Sequence, residues 1–246
     1  MTDLKPQRPQ AALLDTSRGS FAKYRQMVVG DTGLGGFLKY EFITSQCGGT
    51  PGAAGLWLRQ KLFRGLFREC GRNVVFGRHV VLRHPRRISI GSNVIISDGC
   101  VLDAKGAAGE GIIVRDGVFV GHGSIVSMTD GTIVLDEGCN IGSYCRIGTM
   151  GKSRIGKKVL LGAFCYVVGA YHETERTDIP ILDQPSRTKG GAEVDDGCWL
   201  GARVTVLDGV KVGRDSIVGA HAVVTENLPE FCVAVGAPAK VIRMRK

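Results

Sequence analysis

Residues 194–229 read VDDGCW LGARVT VLDGVK VGRDSI VGAHAV VTENLP, six consecutive hexads that each open on an aliphatic residue. A period of six is neither the 3.6 of a helix nor the alternation of a two-sided strand. Fixed self-similarity of this kind marks a solenoid, in which each repeat buries its apolar face only by stacking on its neighbours. The same register runs backwards through IGKKVL, LGAFCY and VVGAYH (155–172), then LDEGCN, IGSYCR and IGTMGK (135–152). VRDGVF and VGHGSI (114–125) and IGSNVI and ISDGCV (90–101) belong to the same series. Short insertions are expected at 132–134 and 153–154, where the register has to be reset.

The opening aliphatic residue and the fifth position of each hexad are expected to face inward. The fifth position carries Val94, Cys100, Cys139, Cys145, Cys165, Cys198, Val204, Val210 and Ala222. Five of the eight cysteines therefore read as small buried hydrophobes, and no CxxC pair points to zinc. Glycine often follows the opening residue, as at Gly201 and Gly219, which suits close backbone approach near corners. Burial of each aliphatic side chain contributes about 1.5 to 3 kcal/mol to stacking, largely offset by chain entropy.

A chain of 246 residues holds one large repeat domain or two ordinary ones. No run approaches the roughly 18 apolar residues of a membrane span, and the polar first ten residues, with Asp3 and Pro6, lack a signal peptide's apolar core. A cytoplasmic protein with reduced thiols is the expectation. The formal charge of +9 is concentrated: residues 53–90 hold nine Lys and Arg against the single acid Glu69. That distribution argues against a nucleic-acid surface spread along the solenoid and raises an anionic membrane surface instead.

Residues 15–70 lack the hexad. Two apolar stretches with helical spacing, around FLKYEFI and LWLRQKLFRGLF, flank the loop-like CGGTPGAAG. In the second stretch Leu58, Leu62, Phe63, Leu66 and Phe67 share one face, and Lys61, Arg64 and Arg68 the other, with Arg59 and Trp57 breaking the pattern. Such a helix either lies on a membrane or caps the open first turn of the solenoid, and the two are compatible.

The repeat is interrupted once at length. It stops after His172 and resumes at Val194, leaving a loop at 173–193 that contains Pro180 and Pro185. Long loops in compact domains usually carry function. Imidazole titrates near neutrality and can take a proton from a hydroxyl nucleophile, so His172 is the candidate base. Glu173 either orients the ring or contacts an acceptor. His122 and His221 sit at outward hexad positions and read as solvated, and His79 and His84 fall in the first basic turns.

The hexads, the VVGAYH box, the CWLGARVTVLDGVKVG run (198–213) and the ending VVTENLPEFCVAVGAPAKVIR (223–243) together resemble the left-handed parallel β-helix acyltransferases. The likeness is to the sugar and xenobiotic O-acetyltransferases of the hexapeptide-repeat family, over residues 74–243. It implies a mainly β fold: a helical and basic segment (1–72), a left-handed β-helix (73–228) and a C-terminal tail (229–246). It also implies acetyl-CoA as acyl donor, no metal, and transfer to a hydroxyl of a sugar or lipid-linked glycan with His172 as general base. Sites shared within a homotrimer follow from the same likeness. Trp199, Ala202, Ala220, Thr225, Lys240 and Arg243 match the family's coenzyme A contacts, and the amide of Gly201 or Ala202 is the candidate oxyanion donor. Two positions depart from the pattern: Glu226 replaces a lysine, and Ser143 replaces an asparagine near the acceptor. Other readings of the chain are a non-catalytic scaffold or membrane-surface adaptor, with peripheral contact through residues 53–90, and a zinc hydratase on the same fold. His122 has no evident histidine partner for the latter.

Overall fold

The computed structural model describes residues 19–30, 32–106 and 108–246, and the stretch holding Asp3 and Pro6 lies outside them. One turn of the solenoid shows how the hexad folds. Lys211–Val212, Ile217–Val218 and Val223–Val224 are three two-residue strands, each belonging to a different sheet. Within each sheet, here called A, B and C in that order, successive turns pair in parallel. The result is a three-sided parallel β-helix. Its three edges are named by the sheets they join.

The opening residues Val194, Leu200, Val206, Val212, Val218 and Val224 are fully buried, and so are the fifth-position residues Cys198, Val204 and Ala222. Inward period and sheet register therefore agree with the sequence. Gly162 and Gly201 are required by close stacking: a Cβ on either would come within 2.6 Å of the amide nitrogen of Ala202 or Ala220 in the next turn. All eight cysteines are free thiols, and the five at hexad positions are buried. Burial pushes Cys100 and Cys198 up to about 11 and Cys139 up to about 12, far from thiolate chemistry.

Turn length varies more than the gap-free hexads suggest. Glu193 pairs with Lys211, 18 residues on, but Val134 pairs with Arg154 and Ser89 with Ile113 across longer turns. The insertions expected at 132–134 and 153–154 are in fact strand, within Thr132–Leu135 and Lys152–Ile155. The extra residues lie just before them, in bends at 129–131 and 150–151 on the C/A edge, and the sheet C strands Ile125–Met128 and Arg146–Thr149 are widened.

Among the described residues three α-helices precede the solenoid: α1 (Ser20–Val28), α2 (Leu34–Cys47) and α3 (Gly52–Leu62). The loop expected across CGGTPGAAG is shorter than it reads, because α3 begins directly after Pro51. Past α3, Phe63, Leu66 and Phe67 are buried, and the Phe63 and Phe67 rings pack on Phe76 of the first turn at 5.5 and 5.4 Å. Leu58 and Leu62 pack against the same core. This apolar face is a cap. Several arginines of the basic stretch are engaged in the fold as well. Arg59 is buried and donates to the carbonyls of Phe76, Cys47 and Thr50. Arg68 reaches Ser89 and Glu110, Arg86 the Phe67 carbonyl, and Arg87 the carbonyls of Ala108 and Gly109. Tyr40 donates its hydroxyl to the Leu82 carbonyl at 2.6 Å.

The far end is closed differently. Cys232–Val235 joins sheet B, and the chain then reverses so that Lys240–Met244 pairs with it antiparallel. The Leu228 amide donates to Lys211 at the end of sheet A, and the Ala239 amide to Val223 at the end of sheet C. Among the described residues no helix is long and apolar enough to cross a membrane.

Candidate active site

The interruption after His172 is an arm with an ordered neck. Tyr171–His172 pairs antiparallel with Ser186–Arg187, so the chain leaves and re-enters the C/A edge side by side. His172 is exposed, with Ser186 Oγ 3.4 Å from its Nδ1. Glu173 turns away from the imidazole and accepts from Arg187 at 2.6 Å, which locks the neck. Within the arm, the buried Gln184 exchanges hydrogen bonds with the Arg176 backbone. The returning strand is anchored by Asp208, which accepts from the amides of Lys189 and Gly191 and from the Thr188 hydroxyl. Ile181 and Leu182 at the tip stay exposed.

His172 overlooks a groove of about 390 Å³ on the outer face of sheet C, shared with Asp103, Lys105, Ser127, Arg146, Tyr166 and Ser186. Asp103 and Ser127 are aligned in one row of the sheet. The sequence reading missed these residues because they recur once per turn, and turns of unequal length hide that spacing. Asp103 is nearly buried, with Oδ2 3.1 Å from Lys105. Its Oδ1 faces His84 Nδ1 at 3.9 Å, and neither atom has a hydrogen-bond partner among the described residues. Nε2 of His84 lies 3.0 Å from the Gln26 carbonyl and must donate to it. Burial holds this imidazole below its ordinary range, leaving Nδ1 bare against the carboxylate.

The residues matched to coenzyme A contacts fall on other parts of the prism. Trp199 stands half exposed on sheet B. Ala202 and Ala220 are exposed in successive turns of the B/C edge, where the His221 amide donates to the Ala202 carbonyl. Thr225 follows Val223–Val224 and is on the C/A edge. Lys240 and Arg243 are exposed on the reversed final strand, and Lys240 Nζ is 4.0 Å from Glu226. The two candidate oxyanion amides separate cleanly. Gly201 spends its N–H on the Val218 carbonyl at 2.8 Å, whereas the Ala202 N–H has no backbone acceptor among the described residues. Among the described residues no group of three or more His, Cys, Asp and Glu side chains is placed to hold a metal ion.

The fold is a three-sided parallel β-helix built on six-residue repeats, and residues 191–226 match the family model described as bacterial transferase hexapeptide (six repeats). The chain is 29% identical over 188 residues to an Escherichia coli protein provisionally named as a lipopolysaccharide biosynthesis O-acetyl transferase, covering 74% of this chain and 83% of that one. It is 32% identical over 129 residues to a Mycobacterium tuberculosis protein provisionally named as an acetyltransferase, covering 52% of this chain and 43% of that one. The chain thus matches less than half the length of the mycobacterial relative. A crystallised variant of AntD, an N-acyltransferase from Bacillus cereus in complex with dTDP and coenzyme A, shares the fold with a TM-score of 0.51 at 21% identity, over 73% of this chain and 85% of that one.

Proposed function

We propose that this protein is an acyl-CoA-dependent O-acetyltransferase acting on a hydroxyl of a sugar or glycan precursor, with His172 as general base. The observation that carries the reading is an exposed histidine fixed at the neck of an arm that leaves a hexapeptide-repeat β-helix. His172 takes the acceptor's hydroxyl proton as its oxygen bonds to the acetyl carbonyl carbon. The sulfur leaves with its electron pair and is protonated, giving an ester and a free thiol. Acetyl-CoA supplies the acyl group and the thiol leaving group. The residues present suit it: the Trp199 ring is exposed, the Ala202 amide is free to donate to a developing oxyanion, and Lys240 and Arg243 are exposed cations for phosphates.

His172 belongs to the C/A edge and Ala202 and Ala220 to the B/C edge, with the width of sheet C between them. This supports a site assembled between copies of a homotrimer, in which the apolar tip of the arm, Ile181 and Leu182, seats against a neighbour. Chains carrying His172→Ala and chains carrying Lys240→Glu with Arg243→Glu are each expected to release no thiol from acetyl-CoA with a sugar acceptor. Co-assembled at equal ratio, they are expected to recover about a quarter of wild-type activity, the share of sites that draw an intact half from each chain. Verified mixed trimers that stay silent place both halves within one chain.

Peripheral contact with an anionic membrane is a further part of the reading, carried now by the outside of the cap. Leu34, Leu38 and Phe42 form an exposed stripe at i, i+4 and i+8 of α2, with Trp57 also exposed and Lys61 and Arg64 on the same cap. Each basic residue near such a surface contributes roughly 1 kcal/mol. Co-sedimentation with phosphatidylglycerol liposomes is expected at low salt, weakened by salt and abolished by Leu38→Ser/Phe42→Ser/Lys61→Glu. A wild-type protein that ignores these vesicles at low salt is capped by its helices and nothing more.

A further inference from the structure

A second and larger cleft, about 920 Å³, opens between α3 and the B/C edge. Its origin lies in the edge itself. Along the left-handed corner position, later turns carry Tyr144, Phe164, Arg203 and His221, all at positive φ. The first turn carries His79 there, and the next two, which line the cleft opposite α3, carry Gly99 and Gly123 instead. At Gly99 the space a side chain would fill is left open, with nothing nearer than 3.9 Å to a Cβ, and at Gly123 it is taken by the Tyr144 ring, 2.5 Å from where a Cβ would stand.

We propose that this cleft binds a neutral sugar ring and, on the reading above of a sugar acceptor, that it is the acceptor pocket. Four features carry the assignment. The Tyr144 ring, about half exposed, is held from behind by Phe164, stacked at 5.2 Å, so it offers a fixed aromatic wall for the C–H face of a pyranose. His122 packs edge-on to Tyr144 at 4.9 Å, and its Nδ1 is engaged by Ser143 Oγ at 2.9 Å, which leaves Nε2 for a ligand hydroxyl. Asp98 accepts from the Arg78 amide and pairs with its guanidinium at 3.5 Å, and the other arginine of the lining, Arg59, spends its donors on the carbonyls of Phe76, Cys47 and Thr50. A cleft whose arginines are already engaged favours an uncharged polyol over a nucleotide diphosphate. Leu56 of α3 and Ile95 close the apolar side.

Position on the prism ties the cleft to the proposed donor residues. Backbone bonds step up the B/C edge from Asp98 to His122, Ser143, Ala163, Ala202 and Ala220 without leaving it. At the usual strand spacing, Ala202 stands roughly 15 Å from His122 along that edge. The side chains change from ionisable at the α3 end to methyl groups at the other. One edge thus offers a polar pocket and a smooth track that runs into it.

The test is saturation-transfer NMR on the full-length protein without acyl donor. The probes are methyl α-glucopyranoside, methyl β-galactopyranoside, methyl N-acetyl-β-glucosaminide and UDP-N-acetylglucosamine. At least one methyl glycoside is expected to receive saturation at its ring C–H protons. That transfer should be lost in Tyr144→Ala, and affinity should weaken at least fivefold in His122→Ala, with melting temperatures kept within a few degrees. The uracil protons of the nucleotide sugar should receive none. Silence of all three glycosides, transfer that survives both substitutions, or saturation at the uracil protons overturns the proposal. Binding is read without catalysis, so glycoside transfer in a protein that releases no thiol would sink the acetyltransferase reading and leave the cleft standing.

Discussion

Acyl transfer by the His172→Ala protein is expected to fall by about 10²- to 10⁴-fold, the usual worth of one general base. The side chain is exposed, and its neighbour Ser186 is held by backbone pairing rather than by the imidazole. Its removal should therefore shift stability by no more than about 0.5 kcal/mol. The combination of collapsed kcat and an unchanged melting curve separates chemistry from folding. A variant that keeps turnover within about tenfold of wild type disproves the assignment. Glu173→Gln makes a useful contrast. It breaks the ion pair with Arg187 and loosens the neck, so it should lower activity by only a few-fold if Glu173 positions the hairpin without touching the reacting atoms.

Val206→Asp should leave little or no soluble folded protein. Val206 is fully buried and pairs with Val167 on one side and Val224 on the other, so the carboxylate would be sealed between turns with no cation in reach. An uncompensated buried charge costs several kcal/mol, against a total stability of about 5 to 15 kcal/mol for a typical domain. Thr205→Asp is the matched control. Thr205 is the outward half of the same two-residue strand and remains partly exposed, so that protein should melt cooperatively within a few degrees of wild type. Circular dichroism of the two variants checks the pair, and a soluble, cooperatively melting Val206→Asp protein would show the strand register to be wrong.

The solenoid was readable because its constraint is local. Val194, Leu200 and Val206 must each be aliphatic whatever the rest of the chain does, and a period of six survives without any knowledge of which turn touches which. Arg59 shows the opposite case. In the sequence it breaks an apolar face, and only the proximity of the Phe76, Cys47 and Thr50 carbonyls makes a buried guanidinium sensible. The cap was legible as one of two compatible roles, and the contacts that make it lie across the fold. His172 stood out as a candidate because an interruption is visible in one dimension. Asp103, His122 and Tyr144 were not, because their neighbours stand one turn away and the turns differ in length. Reading the chain at offsets near 20 residues would have set Ser143 beside His122 and Ala220 beside Ala202.

The two closed ends of the prism have a consequence for behaviour at high concentration. A parallel β-helix is a cut length of an endless ladder, and each raw end would present three rows of unpaired amides and carbonyls to any other copy. Here the helices occupy one end through Arg59 and Tyr40, and Leu228, Ala239 and the reversed strand Lys240–Met244 occupy the other. Both ends of the described ladder are thus covered, which weighs against head-to-tail stacking and leaves the sides for contacts between copies.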